Sequence, residues 1–459
     1  MDLFRKKDIR HSLDSESHLI KCLTATDLTL LGVGAIIGAG IFILTGIVAA
    51  NQAGPGVVLS FVVAGFACAF AALSYAELAA AIGGCGSAYG YAYAGFGELF
   101  AWIVGWDLLL EYAISVAAVA VGWSGYAHDF LLSLKINVPL ELIHGPSEGG
   151  TLNVLAAVAI FALTSLLVYG VKSSTRVNNV MVLIKLAVIV LFIVIASTEV
   201  QVSNWSPFLP FGWSGVIQGA SLIFFAYIGF DAVSTAAEEA INPQRDLPRG
   251  IIGSLAICTV LYIIVAGLLT GIAHYTSLNV ASPISHALLV LGYKTAAGLI
   301  GVGALAGLTT VMLVLYYGFT RIFLAMARDG LLPKIFSEVN QYTRTPVRII
   351  VLAGFIIASF AAFIPMHDLA ELVNVGTLFA FMVVCSGVLY LRYTQPQMHR
   401  PYKTPGMPYV PVLGVLSCFY LMINLPWLTL ARFVIWMAIG LVVYFCFSRK
   451  NSLLAVKLT

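Results

Sequence analysis

Residues 32–40 read Gly-Val-Gly-Ala-Ile-Ile-Gly-Ala-Gly, and residues 224–231 read Phe-Phe-Ala-Tyr-Ile-Gly-Phe-Asp. Each lies inside a long apolar run and contains what an unbroken helix tolerates least. The first stretch holds four glycines in nine residues, and glycine costs about 1 kcal/mol relative to alanine in a helix interior. The second puts Gly229 and the carboxylate of Asp231 near the middle of its run. Clustered glycines favour either local unwinding or close packing between membrane helices. The first stretch taken alone admits both readings. The position of the two runs in the chain favours unwinding.

They are the first and sixth of twelve. A bilayer-crossing helix needs about 20 mostly apolar residues. Candidate spans lie near 27–50, 55–81, 95–125, 151–171, 178–197, 213–237, 249–273, 297–327, 346–364, 368–391, 409–426 and 430–447. Composition demands this architecture. Hydrophobic residues make up 60% of the 459 and charged ones 10%, against roughly 45–50% and 25% in soluble chains. Such a chain cannot cover a water-facing surface, so most of its exterior must face lipid. The expected fold class is an all-α polytopic membrane protein. A net charge of +3 is too small to suggest nucleic acid. Seven cysteines, none in a CxxC pair and most within apolar runs, read as small packing residues.

Charge placement fixes an orientation. Residues 1–21 are polar and of mixed charge, with no apolar core and cleavage site after the basic residues, so a signal peptide is not expected. Twelve spans put both ends on one side. That side carries Arg5, Lys6, Lys7, Arg10, Lys21, Lys172, Arg176, Arg245, Arg249, Arg321, Arg328, Lys334, Arg344, Arg348, Arg392, Arg400, Lys403, Arg449, Lys450 and Lys457. Only Lys135, Lys294 and Arg432 fall opposite, and Lys185 lies within a span. The positive-inside rule makes the crowded side, with both termini, cytoplasmic in the cell membrane.

Two halves of five spans, about 27–197 and 213–391, plus two extra helices at 409–447, make the interrupted runs the opening helices of the two halves. Residues 1–26 and 448–459 are then cytoplasmic ends. Five spans per half reverse the second half in the membrane, an inverted repeat. Interrupted helices at matching places in inverted halves point to a transporter binding site. Unwound backbone at mid-membrane leaves N–H and C=O groups that lipid cannot satisfy but a polar ligand can. The half-helix starting near Gly38 to Ile41 would aim N–H groups and a positive dipole end at a carboxylate. Carbonyls of Ile36, Phe225, Ala226 and Ile228 would accept from an ammonium. Such a site binds what all α-amino acids share, and its apolar lining sorts side chains.

The segment GVGAIIGAGIF over residues 32–42, the segment FAYIGFDAVSTAAEEAINPQRDLPRGI over residues 225–251 and Lys185 together resemble the amino acid–polyamine–organocation (APC) superfamily. Within it the chain is similar to a bacterial relative of the cationic amino acid transporters, over roughly residues 20–450. The resemblance implies a five-plus-five inverted-repeat, leucine-transporter-like core with helices 1 and 6 broken around a central amino acid site. Carried over by position, Ile36, Gly38, Ala39 and Gly40 would hold the carboxylate and amine from span 1, and Phe225, Ala226 and Ile228 from span 6. Ala39 stands where relatives often carry Ser or Thr, so backbone donors must replace a hydroxyl. Twelve spans, rather than the fourteen of animal cationic transporters, favour a bacterial-type member.

Ionisable residues inside spans are functional candidates. Lys185 sits in MVLIKLAVIVLFIV, where a central lysine costs roughly 2.5–3.5 kcal/mol on insertion scales. It either snorkels to the cytoplasmic interface or points inward to carbonyls of span 1 and residues of span 8. In sodium-coupled relatives that place holds sodium; the resemblance makes a lysine there a mark of proton coupling. Glu111, in GWDLLLEYAIS of span 3, is either a helix-to-helix hydrogen-bonding group or a proton or substrate-amine site, with Asp107 one turn earlier. Asp231 is expected to cap or orient the second half-helix. Glu238 and Glu239 with Arg245 and Arg249 read as ion pairs at the cytoplasmic edge. Leu315 and Tyr316, with Phe225, are candidates for the side-chain pocket.

Other classes fare worse. HExxH and GxxxxGK[ST] are absent, and the GxGxxxG strings at Gly32 and Gly301 lack the strand and acidic partner of nucleotide sites. Glycine-rich breaks also build channel filters, but two unequal breaks and a buried lysine favour a carrier. The expectation is a secondary active transporter, not an enzyme, importing small or neutral L-amino acids with protons by alternating access. A cationic amino acid transporter or an exchanger is the alternative, because Glu111 keeps a cationic cargo open. The partners expected are an L-amino acid, a proton and the bilayer. No cofactor, metal or nucleic acid is expected, and a small membrane subunit is left open.

Overall fold

Long apolar runs in lipid must satisfy their own backbone, and helix is the local way to do so. The computed structural model describes residues 5, 23–82, 87–170, 175–343 and 345–456. Lys6, Lys7, Arg10, Lys21, Lys172, Arg344, Lys457, Cys22 and Cys85 lie outside the described residues, as do the side chains of Arg176 and Glu238.

In chain order the principal elements are α1 (Ala25–Ile36), α2 (40–53), α3 (Val57–Ile82), α4 (Ser87–Gly95), α5 (Glu98–Ser133), α6 (Val154–Tyr169) and α7 (Thr175–Thr198). There follow α8 (Gly212–Ile223), α9 (Pro243–Ile272), α10 (Pro283–Val290), α11 (Lys294–Arg328), α12 (Val347–Phe363), α13 (Met366–Thr394), α14 (Tyr409–Ile423) and α15 (Trp427–Val443). Among the described residues there is no strand, only an isolated bridge between Leu23 and Ala240. Eight stretches are long and apolar enough to cross a membrane by length and composition, and α1, α6, α12 and α14 are shorter apolar helices. Helix occupies each of the twelve expected places. The short helices α4 and α10 are additions.

Local chemistry sets several ends. Thr24 and Asp27 form a reciprocal capping box at the start of α1, with Thr24 N–H donating to Asp27 Oδ2 at 3.0 Å and Asp27 N–H to Thr24 Oγ1 at 3.3 Å. Asn153 caps α6 by accepting from Ala156 N–H at 3.0 Å.

Burial is ordered by position in the bundle. In α5, 83% of the most apolar window is enclosed, whereas in the stretch Trp427–Asn451 only 17% is. α5 packs against α11 and α13, while α9 packs against α3 and α1. Large apolar side chains such as Phe66, Val180, Phe355 and Val434 point outward, as a lipid-facing surface requires. Cys68, Cys258, Cys385 and Cys418 are buried free thiols, and Cys446 is an exposed one.

Candidate substrate site at the two helix breaks

α1 ends at Ile36, and Ile37 turns to extended backbone (φ −71°, ψ 100°). Helix resumes at Gly40 as a π-turn. Glycine at position 40 is a steric demand, because a Cβ there would run into the Cα and Cβ of Ala226 on the other break. The two interruptions therefore touch. On the second, α8 passes into a 3-10 turn over Phe224–Tyr227, and Ile228 is extended (φ −62°, ψ 135°). Gly229 then takes φ +122°, a conformation side chains resist. A Cβ at this position would sit 2.8 Å from the carbonyl carbon of Ala35. A short helical turn, Ala232–Thr235, follows.

Protein side chains reach the freed carbonyls. The Lys185 ammonium, 1% exposed, donates to Gly34 O at 2.8 Å and Ile37 O at 3.2 Å. It points into the first break and does not snorkel. Its stem lies along α11, where a Cβ on Gly307 would come within 3.1 Å of Cγ and Cε. Tyr262 of α9 is a partner that sequence reading does not flag. Its hydroxyl lies 2.8 Å from Ile36 O and 2.9 Å from Ala226 O, stitching the two breaks together. One hydroxyl carries one proton, so it cannot fully satisfy both carbonyls at once. Phe225 O, expected to be open, accepts from Ile228 N–H at 3.3 Å. Tyr227 donates to Phe61 O at 2.8 Å and Tyr126 to Phe42 O at 2.9 Å, so tyrosines pin both breaks to their neighbours.

Two broken helices in contact, each with its carbonyls met from outside, are the core expected of one family. The amino acid permease family matches residues 23–446. This chain belongs to that family, within the APC superfamily. Two proteins of Bacillus subtilis (strain 168) are each 49% identical to this permease. One, named "Methylthioribose transporter", aligns over 98% of this chain and 99% of its own length; the other, named "Branched-chain amino acid permease BcaP", aligns over 98% of both. "Cationic amino acid transporter 4" of Homo sapiens is 38% identical over 85% of this chain and 62% of that one. The permease is thus a multi-pass membrane protein of a transporter family.

Beside its breaks the permease brings Asp231 to Glu111 and Asp107, which lie one turn apart on α5. Asp231 accepts from Gly229 N–H at 3.2 Å and from the Tyr112 hydroxyl at 3.1 Å, so it orients the second break from inside the turn. Glu111, 2% exposed, lies close enough to Asp231 and Asp107 to interact with both electrostatically. Among the described residues, none of the three has a Lys or Arg ion-pair partner. Both oxygens of Asp107 and Oε2 of Glu111 are buried without a hydrogen-bond partner. In sequence 120 positions separate Glu111 from Asp231, and only the fold brings them together.

Other expectations shift too. Leu315 is buried on α11, but the Tyr316 hydroxyl donates to Ile350 O at 2.6 Å and meets Thr164 Oγ1 at 3.0 Å. Tyr316 thus ties α11 to α12 and α6 through its hydroxyl. Glu239 pairs with Arg321 at 3.6 Å rather than with Arg245, which pairs with its neighbour Asp246 at 2.9 Å; Arg249 is exposed. Residues 145–149, Gly-Pro-Ser-Glu-Gly, match the GxSxG hydrolase pattern, yet they form a 3-10 turn outside the spans, not a strand-to-helix elbow.

Proposed function

We propose that this permease is a secondary active carrier that imports small neutral L-amino acids together with protons, holding the cargo's head groups on the backbone of its two breaks. The observation that carries this reading is Tyr262, one hydroxyl set between Ile36 O and Ala226 O. An ammonium offers three protons and supplies what these paired acceptors lack. The N–H groups over Gly38, Ala39 and Gly40, at the start of a half-helix, complement the carboxylate. Leu315 and Phe225 are buried apolar side chains suited to lining a pocket for a short aliphatic side chain, and Ile228 completes the second break.

Proton coupling is assigned to Lys185. Its ammonium bonds the first break through Gly34 O and Ile37 O, so losing its proton loosens that break. The proposed frame is twelve crossings with cytoplasmic ends in the cell membrane, residues 27–197 and 213–391 as inverted halves, and 409–447 outside the repeat.

A cationic cargo is the second reading, favoured by the grouping of Asp107, Glu111 and Asp231. One experiment separates them. Purified protein is screened by thermal shift against the twenty amino acids and methylthioribose at two pH values. Stabilisation by alanine and branched-chain residues supports the first reading, and by arginine and lysine the second. Stabilisation by methylthioribose alone contradicts both.

A further inference from the structure

Glu98, the first residue of α5, is 1% exposed and gathers parts of the chain far apart in sequence. Its Oε2 accepts from the Ser452 hydroxyl at 2.5 Å and from the Tyr93 hydroxyl of α4 at 3.3 Å. Its Oε1 accepts from the Tyr444 hydroxyl at 3.1 Å. Glu98 N–H donates to Arg5 O at 2.9 Å, and the Arg5 guanidinium lies 4.0 Å from the carboxylate. A second knot lies alongside. Tyr89 of α4 donates to Asp329 Oδ2 at 2.7 Å, and Leu453 N–H donates to Asp329 O at 3.1 Å. Ser448 donates to Leu331 O at 2.6 Å. Gly330, at φ +79°, has room for no Cβ because Asn451 O occupies that place. The segment 448–456 is therefore built into the fold, and α4 is held by both knots.

α4 in turn leans on the site. The ring of Tyr91 meets Tyr75 edge-on at 6.2 Å, and Tyr75 meets Phe230 at 5.8 Å. Phe381 of α13 closes the cluster, 5.4 Å from Tyr75 and 4.9 Å from Phe230. Phe230 directly follows Gly229 at the second break. A continuous column of aromatic rings thus runs from α4 to the proposed substrate site.

We propose that Glu98 is a positioning residue for transport: it clasps the 448–456 segment and Arg5 onto α4, which holds the Tyr91–Tyr75–Phe230 column shut across the cytoplasmic exit. Release of the clasp lets α4 move and speeds the opening of that exit. The proposal rests on the carrier reading above and on its cytoplasmic orientation. Hydrogen bonds to a carboxylate are the strong ones, so a single hydroxyl is a sufficient handle.

The test uses the full chain reconstituted in liposomes, with Ser452→Ala, the conservative Ser452→Thr, and Tyr444→Phe acting on the other carboxylate oxygen. Amide hydrogen exchange and initial uptake of L-alanine are both measured. Loss of one such bond is expected to speed exchange across 87–95 by about tenfold. Uptake should show a higher Vmax with KM unchanged within about twofold, and Ser452→Thr should behave as the parent. Exchange that rises only within 448–456, or a KM that moves with Vmax constant, overturns the clasp. Faster exchange across 87–95 without alanine uptake by any form, parent included, supports the clasp and overturns the cargo assignment instead.

Discussion

Lys185 and Tyr262 both answer carbonyls of the first break, but they announce themselves differently. A lysine in the middle of MVLIKLAVIVLFIV is conspicuous, because a charge in an apolar run needs a partner; the sequence shows that need but not Gly34 O and Ile37 O as its answer. Tyr262 is one of 20 tyrosines, and its role depends on α9 crossing behind both breaks. No local pattern marks it. Lys185→Met keeps most of the side-chain volume and removes the exchangeable proton. Uptake driven by an imposed pH gradient is expected to vanish while amino acid binding persists; gradient-driven uptake by this variant in liposomes contradicts the assignment. Tyr262→Phe removes the hydroxyl between Ile36 O and Ala226 O. Affinity should then change by about tenfold, the scale of one hydrogen bond, as titration calorimetry would register. An unchanged affinity would mean that the hydroxyl has no part in holding the ammonium site.

At the scale of elements, the breaks were legible because glycine spacing is a local property. Four glycines within residues 32–40 and the Gly229–Asp231 pair interrupt two otherwise apolar runs, and the chain unwinds at both. Which carbonyls those breaks leave open was less legible. Phe225 O is taken by Ile228 N–H inside the 3-10 turn, a detail set by how tightly α8 winds at its end. The helix α4 has no counterpart among the apolar runs, because its alternating glycine, alanine and tyrosine residues carry no apolar stripe of membrane length. Gly229→Ala tests the second break. A side chain at φ +122° is strained, and its Cβ would press on Ala35. The variant is expected to melt at lower temperature in detergent and to lose its ligand-induced shift; a parental melting curve with a full shift would show that the break tolerates a side chain.

For the whole molecule, the all-helical membrane architecture was legible, since a chain this apolar can satisfy its backbone in lipid only by coiling it into helix. Long-range ion pairing was not. Glu77 of α3 takes a bidentate contact from Arg392 at 2.7 and 2.8 Å, a further contact from Arg400 at 3.3 Å, and Thr404 N–H at 2.8 Å. This latch fastens α3, the end of α13 and the loop before α14 together. Glu77→Ala leaves the buried Arg400 without its carboxylate, and is expected to destabilise the protein by roughly 3 kcal/mol, read as a lower melting temperature; an unchanged one would mean that the arginines find other partners. The central claim, that backbone groups at two touching breaks grip the two ends of one zwitterion, is tested most directly by calorimetric titration of the purified protein with L-alanine, L-alaninamide and N-acetyl-L-alanine. The account predicts binding of L-alanine alone, because each derivative removes one charged end. Comparable binding of either derivative would contradict it.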